Sequence, residues 1–231
     1  LFVQTVQGYS PTRSGLLMIP GGILMIMVLP IAGRLADKVP GYQMAVFGLV
    51  VYACSSLLMM QASTDTSFWL FASWLMLGRI GQAAMMPTLM VTAVSTLKPE
   101  TLSQGAGALN FMRNLGGAVG INVIAVLLDQ RTAFFSEAFA GLQTPDNSTT
   151  QQFMMQYGYI LSQLGWPFEM TKSGVLYLVG QSVYVQASMM AYKDLFLFVA
   201  VAFFVAVIPA LFLWDPKRKH KPRPVLSART G

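Results

Sequence analysis

Residues 16–38 of the chain read LLMIPGGILMIMVLPIAGRLADK, and the eighteen residues before Arg34 carry no charged side chain. An uncharged apolar run of about 18 or more residues is long enough to cross a hydrocarbon core roughly 30 Å thick as a helix. Its two prolines and paired glycines would break a helix in water, but neighbouring helices can satisfy the freed backbone groups inside a membrane bundle. The stretch therefore predicts a membrane span that packs against other helices.

The composition of the whole chain is that of a polytopic membrane protein. Hydrophobic residues make up 55% of the 231 residues and charged residues only 10%, against roughly 25% charged residues in a typical soluble domain. Nine acids offset nine of the fifteen bases, and the other six bases all lie in the last fifteen residues. The net charge of +6 therefore comes from the C-terminal tail alone, and it gives no reason to expect a nucleic-acid partner.

The scarcity of cysteine and histidine excludes several kinds of site. Cys54 lies in a predicted span and His220 in the tail, and each is the single residue of its type. One cysteine and one histidine exclude a disulfide framework and a Cys/His metal site, and we expect no cofactor. No Ser-His-Asp set or paired carboxylates fall at membrane depth, so the sequence does not predict an enzyme.

Apolar runs predict five complete membrane spans and a partial helix before them. The partial helix is 1–10, and the spans are 16–35, 44–60, 68–89, 105–128 and 195–214. The chain begins without Met or a signal-peptide pattern, so it reads as a piece of a longer protein. We therefore divide the chain into four parts. Residues 1–128 hold the partial helix and four spans, 193–214 form the last span, and 215–231 form a basic tail. Residues 129–192 form an outward-facing loop with interfacial or extramembrane helices at 153–166 and 175–190.

The basic residues predict the orientation, because Lys and Arg concentrate in short cytoplasmic connections. Arg34 and Lys38 follow the first complete span, Lys98 follows the third, and the basic tail follows the fifth. With five spans, these ends all fall on one side of the membrane. The tail is therefore predicted to be cytoplasmic, and the loop 129–192 is predicted to face outward.

Two of the predicted spans carry arginine. Arg79 and Gln82 lie in the third span, and Asn110, Arg113 and Asn114 lie on one face of the fourth. Arg113 is ten residues past Ser103, about 15 Å along the helix, near mid-membrane, where an arginine costs at least ~2.5 kcal/mol and marks a functional site by default. We therefore interpret the five side chains as lining a polar substrate cavity. A structural pairing with backbone carbonyls or with a missing acid is the alternative.

No acid lies in the interior of any predicted span. The counter-charge for the two arginines would then come from a missing half of the protein, from the substrate or from the mouth of a water-filled cavity. The spans also hold no obvious proton-carrying carboxylate.

Two further features concern helix ends and helix packing. Gly33, Arg34, Asp37 and Lys38 form a candidate gating loop, because an anion at a helix C-terminus needs a compensating partner, and a pair that separates when helices slide can act as a latch. An ordinary solvated helix end is the alternative. In the fourth span, a small-xxx-small pair formed by Gly116 and Gly120 predicts close packing against another helix.

Three segments together resemble a known transporter family. Residues 4–22 open with QTVQGYS and contain PGG, residues 30–38 read PIAGRLADK, and residues 103–120 read SQGAGALNFMRNLGGAVG. The first is similar to the helix pair that opens the C-terminal half of a major facilitator superfamily transporter, and the second resembles that family's cytoplasmic loop motif. The third is close to the penultimate helix of the fourteen-helix drug:proton antiporter branch (EmrB/QacA type).

The resemblance implies an all-α integral membrane fold, namely a major facilitator C-terminal helix bundle with five complete transmembrane helices and a partial N-terminal one. It implies that spans one, three and four and the stub 1–10 line the central cavity. It also implies that the intact protein exports amphiphilic compounds by alternating access in exchange for protons, with the proton-carrying carboxylates mainly in the N-terminal half.

The expected partners follow from the same resemblance. They are the missing N-terminal half of the transporter, the bilayer of the cell (inner) membrane, small amphiphilic substrates and protons, with a periplasmic adaptor as a further candidate. Because two arginines would repel a cationic substrate, anionic or zwitterionic compounds are also candidate substrates. The competing interpretation is a non-transporting membrane fragment or scaffold whose outer loop binds a partner.

Overall fold

The computed structural model describes residues 1–36, 39–95, 101–144 and 146–212, and these residues form α-helices joined by short turns, with no strand among them. In chain order the helices are α1 (Phe2–Thr5), α2 (Pro11–Ala36), α3 (Gly41–Met59), α4 (Phe68–Ser95), α5 (Leu102–Leu142), α6 (Ser148–Gln163) and α7 (Phe168–Phe212). The predicted all-α class is confirmed.

Four stretches of the described helices are long and apolar enough to cross a membrane: Pro11–Leu35, Gly41–Met59, Ser103–Leu142 and Met170–Phe212. The third predicted span, 68–89, lies in α4, which is 28 residues long and is not among these four. Arg79 and Gln82 interrupt its apolar sequence. Because α4 packs along both α2 and α3, it is part of the same membrane bundle.

The bundle is arranged so that each helix packs mainly on one or two neighbours. α4 lies between α2 and α3, α3 also packs on α7, and α7 packs on α5. The short α1 contacts α2 and α7, and its Phe2 ring stacks on Phe71 of α4 at 5.3 Å and meets Tyr192 of α7 edge-on at 5.4 Å. After α1 the chain turns at Gly8, whose φ of +65° favours glycine. The predicted partial helix is thus a four-residue helix that ties α4 to α7.

Glycines permit the closest helix contact of the bundle, between α3 and α4. A Cβ atom on Gly48 would lie 2.7 Å from the carbonyl oxygen of Gly81, and a Cβ atom on Gly81 would lie 2.7 Å from the carbonyl oxygen of Gly48. Nearby, the Ser55 hydroxyl donates a hydrogen bond of 2.7 Å to the carbonyl oxygen of Trp74. The two backbones therefore approach as closely as they do in small-residue membrane interfaces.

α5 and α7 are much longer than a membrane span. They contain 41 and 45 residues, which corresponds to about 60 Å and 68 Å of helix against a hydrocarbon core of roughly 30 Å. The two helices pack against each other, α6 packs on α7, and Arg131 of α5 lies 3.6 Å from Asp194 of α7. Residues 129–144 and 146–192 thus form a structure beyond the predicted spans, which we call the extended hairpin.

The extended hairpin corrects the predicted helix boundaries. The fourth span was expected to end at Leu128 and the last to begin at residue 195, with a loop between them, but α5 continues to Leu142 and α7 begins at Phe168. The prediction followed the fall in hydropathy, and polar residues such as Gln, Glu and Lys lower hydropathy without weakening a helix. The run predicted as a helix at 153–166 is helical as far as Gln163, in α6, and the run at 175–190 lies inside α7.

Candidate functional site

Arg79 lies where α4 packs against α2. Its aliphatic stem passes over Gly21. A Cβ atom placed on that glycine would lie only 3.2 Å from Cγ of Arg79. The guanidinium Nη1 donates a hydrogen bond of 2.8 Å to Oε1 of Gln82, three residues further along the same helix, and both side chains are partly buried. Gly21 of α2 therefore leaves room for an arginine that a larger residue at this position would displace.

Arg113 repeats this arrangement on α5. Its Nη2 donates a hydrogen bond of 2.8 Å to Oδ1 of Asn110, three residues earlier. Asn110, Arg113 and Asn114 are all exposed, as is most of this part of α5, which packs mainly against α7. Each arginine is therefore held by an amide oxygen of its own helix, and its remaining N–H groups can bind another acceptor.

Neither arginine has an anionic partner among the described residues. No Asp or Glu occurs in α2, α3, α4 or residues 101–128, and the ion pair found among the described residues joins Arg131 of the extended hairpin to Asp194 further along α7. Neutral amides orient a guanidinium but do not neutralise its charge. These two helices thus carry uncompensated positive charge in their apolar stretches.

The structure joins the predicted cavity residues in two pairs and not in one cluster. Arg79 binds Gln82 and Arg113 binds Asn110, and the described residues show no hydrogen bond between the two pairs. α4 and α5 touch each other only slightly. A single cavity lined by all five side chains stays a prediction.

The candidate gating loop is only half described. Gly33 and the exposed Arg34 lie in the last turn of α2, whereas Asp37 and Lys38 lie outside the described residues. The latch therefore stays a prediction.

The packing glycines of α5 have no neighbour within the described chain. No described atom outside its own helix backbone comes within 4 Å of a Cβ atom placed on Gly116 or Gly120, so their predicted packing stays a prediction for a helix outside this part of the chain. The sequence interpretation missed the glycines that do pack closely, Gly48 and Gly81. A signal was present, because Gly41, Gly48 and Ser55 recur every seven residues and so share one face of α3.

Comparison with known proteins agrees with this helical architecture. The family profile of the Major Facilitator Superfamily matches residues 1–121, which is about half of the chain. The chain therefore belongs to the Major Facilitator Superfamily.

Its relatives include several bacterial transporters. The uncharacterized MFS-type transporter YhcA of Bacillus subtilis (strain 168) is 24% identical over 224 residues, which cover 96% of this chain and 42% of YhcA. The fatty acid resistance protein FarB of Neisseria gonorrhoeae is 24% identical over 224 residues, covering 94% and 41%. The multidrug export protein EmrB of Escherichia coli (strain K12) is 26% identical over 155 residues, covering 67% and 30%. The chain thus spans less than half the length of these relatives.

Proposed function

We propose that this chain is the C-terminal half of a proton-coupled transporter that exports amphiphilic compounds from the cell by alternating access. The family and the relatives described as multidrug export or resistance proteins support this proposal. The observation that carries it is the pair of arginines in α4 and α5, each held only by a neutral amide among the described residues. Ionisable residues in membrane helices are costly and mark substrate or ion pathways.

The missing half is proposed to hold the other wall of the cavity and the carboxylates that carry protons. Transporters of this kind rock two bundles about a binding site near the midplane. The exposed side chains of residues 110–114 are then available to a facing bundle and to substrate. On the same proposal the protein crosses the inner membrane several times with its basic tail in the cytoplasm, and the extended hairpin is the surface open to a periplasmic adaptor.

Anionic amphiphiles are proposed as better substrates than cations. Two guanidiniums offer unused N–H donors, and the described residues of α2, α3 and α4 provide no carboxylate that would attract a cation. A guanidinium also matches the geometry of a carboxylate or sulfonate group. One relative is described as a fatty acid resistance protein, and a fatty acid is an amphiphilic anion at neutral pH.

Efflux from pump-deficient cells tests the proposal. Cells would express either this chain alone or the chain extended upstream to its natural start, and would be loaded with a fluorescent fatty acid or with the cationic dye ethidium. We expect the extended form to export the fatty acid faster than ethidium, and the chain alone to export neither. An extended form that reaches the membrane and exports neither compound would contradict the proposal. Faster export of ethidium would contradict the preference for anions.

A further inference from the structure

The extended hairpin contains a cavity that the proposed transport function does not use. It lies at the joint where α5 ends and α6 begins, against the side of α7, and its volume is about 150 Å³. Its lining consists of Phe139, Gln143, Thr149, Thr150, Phe153, Val179, Ser182, Val183 and Gln186. Phe139 is 26 residues beyond Arg113 on α5, about 39 Å along the helix. The cavity is therefore separate from both arginine pairs.

The walls of the cavity combine aromatic rings with uncharged hydrogen-bonding groups. Phe139, Phe153, Val179 and Val183 supply apolar surface, and no charged side chain lines the cavity. A cavity of ~150 Å³ with apolar walls is large enough for one benzene-sized ring. An uncharged ring can therefore bind here without the free-energy cost of removing a charged side chain from water.

Two amides supply the polar side of the cavity. Oε1 of Gln143 accepts a hydrogen bond of 2.6 Å from the Thr150 hydroxyl, which leaves the amide N–H groups of Gln143 as donors. Gln186 lines both this cavity and a neighbouring one of about 300 Å³, as Phe153 does. A ring bound here can therefore carry a small polar substituent and extend towards the second cavity.

We propose that this cavity binds small uncharged aromatic compounds of the phenol or benzyl alcohol class, with the ring against Phe139 and Phe153 and the hydroxyl hydrogen-bonded to Gln143 or Gln186. The ligand touches α5, α6 and α7 at once. α6 packs mainly on α7, so a ligand at the joint holds α6 to both legs of the hairpin. A ligand that binds only while α6 is packed on α7 stabilises that packing, by an amount that grows with the logarithm of ligand concentration above the Kd.

The charge preference separates this site from the proposed substrate cavity. The hairpin cavity is lined by neutral groups, whereas the arginines favour anions. Neutral benzyl alcohol should therefore bind the hairpin, and benzoate should not. Arg113→Leu should leave benzyl alcohol binding in the hairpin unchanged, so failure of the proposed transport function and failure of this site are distinguishable.

Hydrogen–deuterium exchange of the intact protein in detergent micelles tests the site. At benzyl alcohol concentrations about ten times its Kd, exchange in residues 148–163 should slow about tenfold, with the slowing increasing further at higher concentration, and benzoate should leave it unchanged. Val183→Trp fills the cavity and should abolish the response, while the matched control Val201→Trp, at a position exposed on α7, should keep it. Unchanged exchange with benzyl alcohol in the unsubstituted protein, or an equal response in Val183→Trp, would overturn the proposal.

A second variant keeps the test decisive if Val183→Trp does not fold. Gln186→Leu removes one amide without adding bulk, and it should weaken benzyl alcohol binding several-fold while toluene binding stays the same. If both compounds bind this variant as they bind the unsubstituted protein, and Gln143→Leu gives the same result, the proposed hydrogen bond is wrong.

Discussion

Replacing Gly48 by alanine is expected to destabilise the chain by roughly 1–3 kcal/mol or more, the usual cost of overpacking a tight interior. The added methyl group would lie 2.7 Å from the carbonyl oxygen of Gly81 and 2.7 Å from Cβ of Met85. One of these atoms is backbone and the other is attached directly to it, so neither can rotate away. α3 and α4 would have to separate, and the hydrogen bond from Ser55 to the carbonyl oxygen of Trp74 would be strained as well.

The thermal unfolding midpoint of the purified protein measures this effect. The matched control is Gly180→Ala on α7, where no neighbouring atom lies within 4 Å of the new Cβ atom. Because alanine is the better helix former by up to about 1 kcal/mol, the control should keep or raise the midpoint while Gly48→Ala lowers it. Equal midpoints for the two variants would show that Gly48 of α3 does not lie this close to the Gly81 carbonyl oxygen of α4.

On the proposed function, replacing Arg113 by leucine is expected to abolish export. The substrate would lose a charge-assisted hydrogen bond from the guanidinium, which is worth about 1.5–3 kcal/mol and corresponds to roughly 10- to 150-fold in binding. Arg79→Leu should act in the same direction. Arg131→Leu on the same helix is the matched control, because its exposed ion pair with Asp194 contributes little to stability.

Export rates at equal membrane abundance would be compared for these variants. Arg131→Leu is expected to export at close to the unsubstituted rate, whereas Arg113→Leu and Arg79→Leu lose export. If Arg113→Leu exports normally, the arginine has a structural role, and the cavity assignment of residues 110–114 is wrong. A protein that tolerates both leucine substitutions without any change in activity fits the scaffold interpretation.

Much of the membrane architecture could be predicted from the sequence, because lipid imposes a simple rule on long apolar runs. The stretch 16–38 predicts a span, and its residues 16–36 form most of α2. The sequence also places Arg79 with Gln82, and Arg113 with Asn110, on one face of their helices, and the structure shows a hydrogen bond within each pair that was not predicted. Such local relations depend only on helical geometry.

Other features depend on contacts between distant residues. The crossing of Gly48 and Gly81 requires the partner helix and its register, which a single helix sequence does not supply. The end of α5 was placed too early and the start of α7 too late, because hydropathy reports suitability for lipid and not where a helix begins or stops. The cavity of the extended hairpin joins residues from three helices, and no spacing along the chain brings them together. Whether the two arginines face one cavity depends on how a facing bundle packs on residues 110–114.

Transport by purified protein in liposomes is the direct test of proton-coupled export and of the role of Arg113 in it. The chain extended upstream to its natural start would be reconstituted with a fluorescent amphiphilic sulfonate, which stays charged and so cannot follow a pH gradient passively. We predict that an imposed proton gradient drives the sulfonate across the membrane in exchange for protons, and that Arg113→Leu stops this movement while Arg131→Leu does not. Sulfonate movement that is absent in every form, or that is identical in Arg113→Leu and the unsubstituted protein, would contradict the account.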